Sequence, residues 1–64
     1  MSVQFKVSDM ACSACANTIA QAVKQVDAQA QVETDLTAKT VTIATQQPAE
    51  DIKKAIVEAG YTVE

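Results

Sequence analysis

The 64-residue chain predicts an α+β fold, with two helices on one face of a four-stranded antiparallel sheet. Three observations lead there. Short stretches alternate apolar and polar residues with period two, the mark of half-buried strands. Two longer stretches repeat apolar residues at i, i+3, i+4 and i+7, the mark of amphipathic helices. Their order along the chain is strand, helix, strand, strand, helix, strand.

Residues 3–8, Val-Gln-Phe-Lys-Val-Ser, alternate and form the first strand. Asp9 to Cys12 break the alternation and read as a loop, after which Ser13 is placed to cap a helix with its hydroxyl. That helix runs to about Val26, with Ile19, Ala22, Val23 and Val26 on one stripe and Gln21, Lys24 and Gln25 toward water. Ala30, Val32 and Thr34 alternate with Gln31, Glu33 and Asp35 in a second strand. Thr37-Ala38-Lys39 is the hairpin turn, without the Asn-Gly or Asp-Gly pair such turns favour. Residues 40–45 are β-branched and alternating, a third strand. Pro48 suits the first position of a second helix, where its missing N–H is no loss. Glu50 and Asp51 complement that helix's positive end. Ile52, Ala55, Ile56 and Ala59 form its stripe, and Glu50 precedes Lys54 in the favourable i, i+4 order. Gly60 is the left-handed stop, and residues 61–63, Tyr-Thr-Val, are expected as a fourth strand. One apolar stripe per helix and one apolar face per strand put both helices on the same side of the sheet. With right-handed crossovers this is the ferredoxin-like βαββαβ sandwich, spanning residues 1–64 as a single domain.

Composition narrows the function. The apolar share is 48%, but twelve of those residues are Ala, so the core is small and rarely supplies more than about 3–5 kcal/mol. A large enzyme with its own closed cavity does not fit; no catalytic residues are expected. Eight acidic residues oppose five Lys, for a net charge of −3 and a pI near 4.6. Nucleic-acid binding needs a basic surface, and this chain has none. Phe5 and Tyr61 are too few aromatics for base stacking. No apolar run exceeds three residues, against about 20 for a membrane span. A cytoplasmic protein is the simplest expectation, with its thiols reduced.

Those thiols are Cys12 and Cys15, at the junction of a loop and a helix N-terminus. Unpaired N–H groups and the helix dipole favour thiolate there. Two thiolates three positions apart can converge on one soft ion. Structural zinc wants four ligands and catalytic zinc three plus water; the chain has no His, and offers beyond the cysteines only the Asp9 carboxylate. Monovalent copper is satisfied by few soft sulfur ligands, and an exposed loop leaves it reachable by another protein's thiols. Zinc or another soft ion is the alternative. Two further readings compete: cysteines as small buried hydrophobes, and a thioredoxin-like dithiol, against which stand the short chain and the lack of Pro after Cys12. Met10 reads as an apolar anchor for the loop, or else as a weak thioether ligand. Tyr61 is either an amphipathic edge residue or a neighbour that screens the cysteines and bonds a thiolate with its hydroxyl. Lys53 and Lys54 form a solvated helix face, or one of them balances a bis-thiolate charge.

The run Met10-Ala11-Cys12-Ser13-Ala14-Cys15, with Ala59-Gly60-Tyr61 and the hairpin at 34–43, resembles the heavy-metal-associated domain family over nearly the whole chain. Within it the chain is similar to free-standing copper metallochaperones of the Atx and CopZ types, including cyanobacterial ones. The resemblance implies a ferredoxin-like fold and a Cu(I) site made by Cys12 and Cys15, with Met10 as buried anchor and Tyr61 near the metal. It implies transfer by ligand exchange to the amino-terminal domain of a copper-transporting P-type ATPase, without membrane insertion, and it allows a copper-bridged homodimer. Asp9 departs from the Gly common before the motif's Met, which reopens zinc. Ala11 stands where zinc-type relatives carry an acidic residue.

Overall fold

Alternation becomes strand in three places. The computed structural model describes residues 2–64, in the order β1 (Ser2–Lys6), α1 (Ser13–Val26), β2 (Gln31–Asp35), β3 (Thr40–Ala44) and α2 (Ala49–Glu58). The sheet is antiparallel throughout, in the order β1-β3-β2. The most β-branched segment is therefore the central strand, and Val41 and Ile43 on it are fully buried. The register sets Val3 and Val32 on either side of Ile43, and Phe5 and Thr34 on either side of Val41. Ile19 and Val23 of α1 and Ile52 and Ile56 of α2 join Val41 and Ile43 in one core. The other face of the sheet is polar, where Gln4 Nε2 donates to Thr42 Oγ1 at 3.2 Å.

Side chains close the connections at both ends of β3. Asp27, past the end of α1, accepts from the buried Thr45 hydroxyl at 2.7 Å and from the Gln29 amide at 3.0 Å. The Thr45 bond first, then the Gln29 amide, hold its carboxyl below the usual carboxylate range. In the hairpin, Asp35 Oδ1 accepts from the amides of Thr37 at 2.9 Å and Ala38 at 3.0 Å. This carboxylate stands in for the missing Asn-Gly signal by occupying turn amides. Lys39 then takes φ 61°, the one non-glycine residue with positive φ among those described.

Two helix starts differ from expectation. Cys12, not Ser13, is the N-cap of α1, and Pro48 caps α2 rather than occupying its first turn. Alpha-helix two ends as its Gly predicts. Gly60 has φ 101°, its amide donates to Val57 O at 3.0 Å, and the Tyr61 amide reaches Ile56 O at 3.3 Å. This is the paired-bond stop that a left-handed residue permits.

The fourth strand does not form among the described residues. Its amides have other partners: Tyr61 bonds the helix end, and Thr62 bonds the Asp9 carboxylate at 3.1–3.2 Å. Only Glu64 pairs with β1, through its amide and Lys6 O at 2.9 Å. The four-stranded sheet is thus corrected to three strands with a C-terminal segment pinned beside β1.

Candidate metal centre

The loop between β1 and α1 is built by local bonds. A turn closes with the Met10 amide on Val7 O at 3.1 Å, and Met10 drops into the core with no exposed surface. Cys12 follows in extended conformation, φ −152° and ψ 168°, with no side-chain cap on the helix. Its carbonyl accepts the first helical bond, from the Ala16 amide at 3.1 Å. The first-turn amides of α1 are therefore left without a capping side chain beside the cysteines, where they favour negative charge.

Cys15 is the third residue of α1, three positions after Cys12, so its side chain lies on the same side of the helix start. The two sulfurs are 3.1 Å apart. Both cysteines are free thiols, Cys12 exposed and Cys15 partly buried. Cys15 packs against the core, whereas Cys12 does not.

Tyr61 is delivered to the site by the stop of α2. Donation from its hydroxyl toward the Cys15 thiolate is the largest cause that lowers the Cys15 pKa from 9.0 to about 7. The Cys12 thiol and the backbone at Ala11 add to the effect, while burial opposes it. The same bond pushes the Tyr61 phenol up, because the neutral hydroxyl is the donor. A thiolate stabilised in the folded chain contributes stability that is complete above the ordinary thiol value and is lost as pH falls through about 7. The metal-free, reduced protein should therefore gain thermal stability between pH 7 and pH 9. Tyr61→Phe should move the Cys15 titration, followed by thiolate ultraviolet absorbance, up toward 9.0 and flatten that gain. An unmoved titration would reduce Tyr61 to packing alone.

Asp9 does not join the cysteines. Both of its carboxylate oxygens face the Thr62 amide, at 3.2 and 3.1 Å. Among the described residues no group of three or more His, Cys, Asp or Glu side chains is placed to hold one ion. Lys53 and Lys54 are exposed on α2. Sequence reasoning overlooked a different lysine: Lys39 donates from Nζ to Met10 O at 3.0 Å. It also overlooked Ser8, whose hydroxyl bonds the Glu64 carboxylate. No helix is long and apolar enough to cross a membrane among the described residues.

The fold that carries these two thiols is shared with known proteins. The heavy-metal-associated domain profile matches residues 4–62. The copper chaperone Atx1 from Synechocystis PCC6803, in a trimeric Cu1 form of a histidine-to-tyrosine variant, superposes with a TM-score of 0.94 at 47% identity, over 97% of this chain and 98% of that one. A cyanobacterial copper metallochaperone, ScAtx1, superposes with a TM-score of 0.82 at 45% identity over 100% of both chains. A gold binding protein gives a TM-score of 0.89 at 37% identity, over 94% of this chain and 92% of that one. A comparison with curated protein sequences returned no match. With the family profile covering nearly all of it and such relatives at both fold and sequence level, the chain belongs to the heavy-metal-associated domain family.

Proposed function

We propose that this chain is a cytoplasmic copper(I) metallochaperone, one metal-carrying unit over residues 1–64, and not an enzyme. The observation that carries the reading is the pair of free thiols at 3.1 Å, with no third acidic, His or Cys side chain among the described residues in place to complete a zinc set. Few sulfur ligands suit a soft monovalent ion, whereas zinc seeks four ligands, or three and water. The gold binding relative agrees with a dithiol suited to soft ions. Asp9 is engaged elsewhere and gives zinc no support.

Cys15, held by the core and by Tyr61, is the fixed ligand, and Cys12 on the exposed loop is the mobile one. Two sulfurs on opposite sides of one ion must stand farther apart than the 3.1 Å seen here, since a metal–thiolate bond such as zinc's is already about 2.3 Å. The pair must therefore open on loading, and Cys12 supplies the movement. Release reverses this. A partner thiolate adds to the copper, Cys12 leaves and takes up a proton, and a second partner thiolate then displaces Cys15. Copper remains Cu(I) throughout. The partner implied by the family is the amino-terminal domain of a copper-transporting P-type ATPase. Thiolates of a second copy can serve in the same way, giving a copper-bridged homodimer.

Ligand exchange makes a kinetic prediction. Under anaerobic stopped flow, the rate of Cu(I) transfer to an acceptor domain carrying two thiols should rise in proportion to acceptor concentration. A rate that stays at the spontaneous release rate at every acceptor concentration would contradict exchange. With a net charge of −3, encounter with a basic acceptor face should also slow as salt is raised.

A further inference from the structure

We propose that Lys39 is a positioning residue for the metal loop, clamping both ends of its turn from the neighbouring hairpin. The proposal rests on the copper reading for its functional consequence, but its structural basis is independent. Lys39 O accepts the Val7 amide at 2.8 Å, and Lys39 Nζ donates to Met10 O at 3.0 Å in a part-buried setting. Val7 and Met10 are the two ends of the turn that precedes Cys12, joined by their own bond of 3.1 Å. One residue thus fixes where the loop leaves β1 and where it approaches the cysteines.

The backbone at Lys39 indicates that this placement is specified. Its φ of 61° is disfavoured for a residue with a Cβ and is usually left to Gly or Asn. The Asp35 carboxylate, by holding the Thr37 and Ala38 amides, directs the chain into that conformation. An ammonium bonded to a carbonyl is a charge-assisted contact, stronger than a neutral one. It also brings a cation to a loop whose two thiolates, with one monovalent metal, carry a net negative charge. Lys53 and Lys54, exposed on α2, have no such bond to the loop.

The test compares Lys39→Met, Lys39→Gly and Lys39→Arg in the full chain. Gly suits the positive φ, so Lys39→Gly keeps the turn and the fold while losing the ammonium; Lys39→Met keeps the aliphatic stem. In metal-free protein, exchange of the Met10 amide, which makes the turn's own bond, should quicken about tenfold in both variants, the scale of one charge-assisted bond. Cu(I) release to an excess of a chromophoric chelator should quicken by a similar factor, about tenfold. Lys39→Arg should restore both to within about twofold of native. Native loop exchange in the Met and Gly variants overturns the proposal, and so does an Arg variant that behaves like Met. A native chain that takes up no Cu(I) defeats the copper reading, and the exchange comparison then decides Lys39 by itself.

Discussion

Replacing Cys12 and Cys15 together by serine should remove tight Cu(I) binding and leave the fold in place. The loss is expected to be complete, because no other His, Cys, Asp or Glu side chain is grouped with this pair among the described residues, and a hydroxyl is a poor ligand for a soft ion. The fold should persist because the core is made elsewhere. Its fully buried members are Val, Ile and Met side chains from α1, β3, α2 and the loop ahead of the site, whereas Cys12 is exposed and Cys15 only partly buried. A shift of no more than about 5 °C in thermal midpoint is expected for substitutions of this kind in so small a chain. Stoichiometric Cu(I) retained by the double variant would remove these residues from the site. A collapse of the fold would make them structural.

Met10→Ala should act on the opposite property. The side chain has no exposed surface and belongs to the same core as Ile43, Ile52 and Ile56. Removing a buried Met side chain to Cβ costs roughly 2–5 kcal/mol, depending on how far the cavity collapses. A core of this size supplies roughly 3–5 kcal/mol in total, so Met10→Ala should populate unfolded chain in water. Urea unfolding of the metal-free protein measures this directly. Met10→Leu nearly conserves volume and should cost under about 1.5 kcal/mol while keeping Cu(I) affinity. If Met10→Leu instead lost Cu(I) strongly with its stability intact, the thioether would be a ligand. If Met10→Ala were harmless, the loop would not be anchored by this residue.

Most of the fold was legible because it depends on local pattern. Alternation through Thr40–Ala44 marked the central strand, and the stripes through Ile19, Val23, Ile52 and Ile56 marked the buried sides of both helices. Gly60 announced the stop of α2, since its φ of 101° is one that residues with a Cβ avoid. The last strand misled for a physical reason. Tyr61, Thr62 and Val63 have strand-like composition, but the Tyr61 and Thr62 amides are held by Ile56 O and the Asp9 carboxylate, which no local pattern reveals. The cap of α1 was displaced by one residue, from Ser13 to Cys12.

The site divided in the same way. The C-x-x-C spacing at a helix start placed Cys12 and Cys15 together, and the position of Met10 ahead of the loop suggested burial. The contacts that brace the loop come from far along the chain, with Lys39 29 residues from Met10 and Thr62 53 residues from Asp9. A carboxylate next to a metal motif invites reading as a ligand; here it secures the C-terminal segment instead. Lysines on α2 drew attention for charge balance, whereas the lysine that touches the loop lies in a hairpin turn whose backbone conformation carries no lysine preference.

The central claim is that the dithiol holds one Cu(I) and prefers it to zinc, and an anaerobic Cu(I) titration against a chromophoric competitor, with a parallel Zn(II) control, tests it most directly. The predicted result is one tightly held Cu(I) per chain that excess Zn(II) does not displace. Failure to withdraw Cu(I) from the competitor, or displacement of bound Cu(I) by Zn(II), would contradict it.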